Sequence, residues 1–169
     1  MVLALPGGIF RQTDVRETPL SEGTINVGDF CTVYRSSNQT ISGGTATDIN
    51  FNAEEYDDSG MHSTSVDTER ITVTTPGLYL IHFEVSAMTT NLNQVRFSLF
   101  EGATEIGRKE VYWVTSGASG KNPAVLTTIR KVTAATFYHV KVDNVTDTGN
   151  VTVYGTAAKD TKLTVMKIQ

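Results

Sequence analysis

Apolar and polar residues alternate most persistently over Ile71–Ala87, ITVTTPGLYLIHFEVSA. There Tyr79, Ile81, Phe83, Val85 and Ala87 share one face, and Leu78, Leu80, His82, Glu84 and Ser86 share the other. The turn pair Pro76–Gly77 feeds this run, which predicts a long strand. A two-sheet core accounts for the first face. Leu78 and Leu80 make the start of the second face apolar too, and covering them takes a further sheet or another subunit. The alternation therefore predicts an oligomer.

Shorter runs predict strands at Phe30–Arg35, Ile49–Tyr56, Arg70–Thr74, Gln94–Phe100, Ile106–Val114, Ala124–Val132, Phe137–Val142, Val151–Tyr154 and Lys162–Ile168. Val95, Phe97 and Leu99 share a face, as do Tyr138, Val140 and Val142. Glu101-Gly102-Ala103 joins two runs as a hairpin. Ser36–Gly44, Met61–Glu69 and Ser116–Asn122 read as turns and loops. Eight to ten short strands with loops between them make a sandwich or a barrel over residues 30–169. Residues 1–29 differ, because Pro6, Gly7, Gly8, Pro19, Gly23 and Gly28 break them into pieces too short for a core. They read either as a frayed terminus with an edge strand or as an arm that binds a neighbour, with Val2, Leu3, Leu5, Ile9 and Phe10 as its docking contacts.

Composition supports an all-β reading, for Thr, Val, Ile and Tyr are frequent and no window carries a clean 3.6-residue period. With 39% hydrophobic and 19% charged residues, the 169-residue chain has enough apolar side chains for one full core. A net charge of -4 without a basic cluster speaks against a nucleic-acid partner. The single cysteine, Cys31, allows no intrachain disulfide. No run approaches the roughly 18 apolar residues of a membrane span, and MVLALPGGIF lacks the positive start of a signal peptide. The expectation is synthesis in the cytoplasm, with no membrane partner.

Candidate chemistry is sparse. His62, His82 and His139 lie in no nucleophile–base or zinc-ligand spacing, and Cys31 falls within a predicted strand as a buried, inert thiol. No catalytic residue and no cofactor is expected. Glu54, Glu55, Asp57 and Asp58 offer oxygen ligands for calcium or simply form a solvated acidic turn, since the DxDxDG pattern is missing. Tyr112 and Trp113 either stack on a sugar ring or pack across the sandwich. Asp57, Asp58, Tyr112 and Trp113 are thus the candidate ligand-binding loop residues.

INFNAEEYDDSG followed by ITVTTPGLYLIHFEVSA, with Phe51-Asn52, Tyr56-Asp57, Gly60, Pro76-Gly77, Tyr79 and Phe83, resembles the globular head of the complement recognition subcomponent and its tumour-necrosis-factor-like relatives. The terminal LTVMKI is similar to that family's last strand, so the resemblance spans about residues 30–169. It implies a jelly-roll β-sandwich of about ten antiparallel strands that forms tight homotrimers and binds other molecules without catalysis; some relatives bind calcium near the trimer axis. Carrying the family's strand faces across implies a trimer interface of Leu78, Leu80, His82, Phe137 and His139, with His82 and His139 on neighbouring strands of one sheet. Six buried, neutral histidines would then weaken the trimer as pH falls. Ile71 departs from the family, where an aromatic is common, and the chain shows no Gly-X-Y stalk.

Similar stalkless heads occur on tailed bacteriophages. The expectation is therefore a structural virion protein, a capsid decoration or head fibre docked through its arm on the major capsid or another virion protein. The alternative is the host-receptor or carbohydrate-binding head of a tail or fibre.

Overall fold

A computed structural model describes residues 28–89, 94–112, 121–145, 149–156 and 159–169. Among them the chain forms strands and no helix: β1 (Phe30–Tyr34), β2 (Gln39–Ile41), β3 (Thr47–Asp48), β4 (Ala53–Asp57), β5 (Arg70–Val73), β6 (Gly77–Thr89), β7 (Gln94–Glu101), β8 (Thr104–Tyr112), β9 (Asn122–Val132), β10 (Thr136–Asn144), β11 (Val151–Val153) and β12 (Lys162–Lys167). β6 sets the arrangement. β9 runs along Gly77–Ala87 on one edge, while β12 covers Tyr79–Glu84 and β11 covers Ala87–Thr89 on the other. β1 and then β4 extend the sheet beyond β12, and β2 extends it beyond β11, giving seven antiparallel strands.

The second sheet has five strands centred on β10, with β7 on one edge, β5 and β3 sharing the other, and β8 outside β7. Two antiparallel sheets of this kind bury their facing sides against each other as a jelly roll. Tyr79, Ile81, Phe83, Val85, Leu163 and Val165 come from one sheet, and Ile71, Phe97, Leu99, Tyr138, Val140 and Val142 from the other, all 0% exposed. Each such side chain contributes on the order of 1.5–3 kcal/mol by leaving water.

The all-β jelly roll agrees with the sequence reading, and the departures from it are local. Ser36–Gly44, read as turns, contains β2. The strand expected from Ile49 begins only at Ala53. Ile49 and Phe51 are nevertheless fully buried, because their amides bond to Val140 and Thr68 carbonyls at 2.9 and 2.7 Å instead of to a ladder. Asp29, counted with the arm, belongs to the domain: its carbonyl accepts Lys167 N at 2.9 Å and its carboxylate accepts the Tyr79 hydroxyl at 2.9 Å and the Ser59 hydroxyl at 3.1 Å. The arm residues Val2, Leu3, Leu5, Ile9 and Phe10 lie outside the described residues.

The placement of β10 overturns one expectation. His139 was expected on a strand neighbouring β6 in one sheet, but β10 is in the five-stranded sheet and β6 in the seven-stranded one. Both edges of β6 are already paired by β9, β12 and β11, which leaves β10 no place beside it.

Candidate functional site

The outward face of the seven-stranded sheet carries a row of partly exposed and exposed apolar side chains, because inward-facing residues alternate with outward ones along a strand. Register places Phe30, Met166, Leu80 and Ile129 side by side across β1, β12, β6 and β9. The Tyr56 ring lies 5.5 Å from that of Phe30 and extends the row onto β4. Ile129 is 55% exposed and Tyr56 53%. Leu78 stands further along β6, opposite Lys131.

The next row along the strands is polar, with Thr32, Thr164, His82 and Thr127 in register. The Thr32 and Thr164 hydroxyls are 3.0 Å apart, and His82 Nδ1 is 2.8 Å from Thr127 Oγ1. The row after that holds Tyr34, Lys162, Glu84 and Val125, with Lys162 Nζ 3.5 Å from Glu84. Leu78, Leu80 and His82 therefore share one open face, as the alternation predicts. Phe30, Tyr56, Val125, Ile129 and Met166 join them there, although sequence reasoning did not assign them to it. Their alternation was visible, but which strands lie side by side was not.

Phe137 and His139 are not on this face, which corrects the interface expected from the resemblance. The His139 ring is buried in the five-stranded sheet, with Nδ1 2.5 Å from Asp48 Oδ1 and Nε2 2.9 Å from the Gly102 carbonyl. Phe100 and Phe137 flank it at centroid distances of 5.1 and 5.4 Å, and the Arg70 guanidinium lies 4.9 Å over Phe137. His139 instead ties β3 and the β7–β8 turn to β10.

His62 repeats the arrangement in the loop after β4. Its Nδ1 meets Glu54 at 3.0 Å and its Nε2 meets the Thr68 carbonyl at 3.2 Å. Asp57, a candidate ligand residue, accepts the backbone N–H groups of Met61 and His62 at 2.8 and 3.1 Å and so shapes that loop. Glu55 pairs with Lys159 at 2.7 Å. The four acidic side chains thus do not converge as a group, and among the described residues no three His, Cys, Asp or Glu side chains cluster. The loop borders an open cleft lined by Gly60, His62, Ser63, Asp67 and Arg70. Tyr112 is exposed at the end of β8, while Trp113 lies outside the described residues. Burial, together with Asp57 and Glu54 close by, pushes the Cys31 thiol far above its ordinary pKa, so a reactive thiolate is disfavoured.

The two-sheet fold is similar to the jelly rolls of complement globular domains and tumour-necrosis-factor proteins, a likeness of fold. The chain is similar in fold to the globular domain of zebrafish complement 1qA, with a TM-score of 0.58 at 12% identity over 84% of this chain and 98% of that one. Murine APRIL gives 0.58 at 10% identity over 83% of this chain and 98% of that one. The Eiger TNF of S. frugiperda gives 0.54 at 11% identity over 83% and 92%. No family model and no curated protein matches the sequence.

Proposed function

We propose that the chain is a non-enzymatic structural protein that works as a homotrimer closed through the outward face of its seven-stranded sheet. The observation that carries this reading is the apolar row Phe30, Met166, Leu80 and Ile129, with Leu78 and Tyr56 beside it. In a lone chain this row would stay wet at about 25 cal/mol per Å². We further propose that the trimer belongs to a bacteriophage virion assembled in the host cytoplasm, as a capsid decoration or head fibre. Its N-terminal arm would dock on the major capsid or another virion protein through Val2, Leu3, Leu5, Ile9 and Phe10. Support for the arm is its sequence, in which short apolar pieces lie between Gly and Pro over residues 1–29.

The second reading is a head that recognises a host-surface glycan or protein. The cleft beside the loop after β4 and the exposed Tyr112 favour it. Sedimentation of the purified protein with parent particles separates the two readings. Docking predicts co-sedimentation that is lost on deletion of residues 1–27, whereas receptor binding predicts attachment to host cells that survives the deletion.

A further inference from the structure

We propose that residues 22–27 fold back across the end of the seven-stranded sheet as a strap, with Ile25 seated over Ile168 and Leu78 and with Glu22 against Lys131. The strap belongs to a single chain and rests on neither the trimer nor the virion reading above. Continuing the strand registers beyond Phe30 and Met166 brings Gly28, Ile168, Leu78 and Lys131 into one outward row, next to the row of Phe30, Met166, Leu80 and Ile129. Backbone bonds hold that row, for Ile168 N donates to the Leu78 carbonyl at 2.8 Å and Lys167 N to the Asp29 carbonyl at 2.9 Å. Gly28 has no side chain to fill its place beside Ile168, which is 43% exposed. The row is therefore notched, and two open grooves of about 320 Å³ each meet there at Gln169.

Reach, polarity and charge select this occupant. Residues 1–27, which lie outside the described residues, join the chain at Gly28, in the notch itself. Neighbouring strands are about 4.8 Å apart, so Ile168, Leu78 and Lys131 stand about 5, 10 and 14 Å across the sheet from Gly28. An extended chain spans at most about 3.3–3.6 Å per residue, which gives Ile25 a reach of about 10 Å and Glu22 one of about 20 Å. Ile25 can thus lie over Ile168 and Leu78, and Glu22 has the length to meet Lys131. In the stretch 17–27, ETPLSEGTINV, Glu17 and Glu22 are the only charged residues, and Lys131 has no ion pair among the described residues. Ile25 and Val27, two apart, put their apolar side chains on one side of an extended segment. Covering Ile168 and Leu78 takes apolar surface out of water, and so short a tether holds the segment at an effective concentration of about millimolar, which favours it over an outside partner. Val2, Leu3, Leu5, Ile9 and Phe10 remain upstream of the strap and free to dock.

The test is disulfide trapping in the full-length chain carrying Ile25→Cys and Ile168→Cys, with Ile25→Cys and Thr104→Cys as the control on the other sheet; Cys31 is buried and stays as it is. Oxidation is expected to link residues 25 and 168 within one chain, read by peptide mapping, and to leave the control unlinked. In parallel, cleavage after Glu22 by a glutamate-specific protease should be at least about 10-fold faster in the Lys131→Glu, Ile168→Asp double variant than in the unaltered protein, with cleavage after Glu17 unchanged. If the variants lose their cooperative melt, amide exchange of the unaltered protein decides: residues 22–27 should exchange at least about 10-fold more slowly than residues 11–16. A link formed between chains overturns the strap in favour of a neighbouring copy's arm. Absence of the link with equal cleavage after Glu22 in both proteins, or equal exchange in the two segments, overturns it outright, and each of these outcomes leaves the trimer reading standing.

Discussion

At the scale of single residues, Asp29 and Tyr79 join the start of β1 to β6. Burial alone would raise the Asp29 pKa, but hydrogen bonds from Tyr79, Thr75 and Ser59 and the charge of Lys167 outweigh it and hold the carboxyl below its ordinary value of 3.8. A depressed native pKa means the unfolded chain binds the proton more readily, so the contribution is complete above that value and is lost as pH falls through the folded one. Asp29→Asn should therefore flatten the loss of stability between about pH 5 and 2. Melting curves across that range with equal slopes for both proteins would contradict the assignment. Tyr138 presents the opposite case. Burial, helped by Glu101 and opposed by Arg130, pushes its hydroxyl up to about 12, and the hydroxyl has no hydrogen-bond partner among the described residues. Removing an unsatisfied buried group relieves its desolvation cost, so Tyr138→Phe should stabilise the fold by about 1 kcal/mol. Urea denaturation checks this, and a loss of stability would reveal a partner for the hydroxyl.

At the scale of elements, β6 bears the core, and short connections tie the rest to it. The segment after β11 passes so close to the one after β1 that a Cβ on Gly155 would lie 2.2 Å from the Ser37 carbonyl oxygen and 2.7 Å from Arg35 Cβ. Backbone cannot yield as a flexible side chain can, so Gly155→Ala should cost about 1–3 kcal/mol in thermal or urea melts. Deleting residues 1–27 should leave the cooperative melt intact, whereas deletion through 29 should lower it, since Asp29 holds Tyr79, Ser59 and Lys167. Equal melts for the two deletions would show that Asp29 belongs with the arm.

The strands themselves were legible where one face is buried, because period-2 alternation is then imposed by the core. Tyr79, Ile81, Phe83, Val85 and Ala87 are the clearest example, all fully buried. β2, β3 and the buried stretch Ile49–Phe51 were not legible. Two- and three-residue strands show no period, and Ile49 and Phe51 are anchored by single amide bonds to Val140 and Thr68. The candidate site was half legible for a related reason. Alternation along β6 reveals that Leu78, Leu80 and His82 share a face, but nothing local reveals that β9 and β12 flank β6. The sheet that holds His139 is not written in its strand: alternation over Phe137–Val142 gives its face, whereas the partners of β10 are β3, β5 and β7, all distant in sequence.

At the scale of the whole molecule, one sheet keeps a broad apolar face while the outward side of the other is more polar. There Arg96 pairs with Glu110 at 3.1 Å, and Arg108 with Glu105 at 2.6 Å. That asymmetry is the physical basis for placing the subunit contact on β4, β1, β12, β6 and β9. A heterologous ring needs both the β9 edge and the β6–β12–β1 face, so damage to either patch should be enough to open it. The most direct measurement is the mass of the protein by sedimentation equilibrium at micromolar concentration, for wild type, Leu80→Asp and Ile129→Asp. The account predicts three chains of 18.4 kDa for wild type and a single chain for both variants, each still giving a cooperative melt. A wild-type mass of one chain, or a Leu80→Asp protein that remains a trimer, would contradict it.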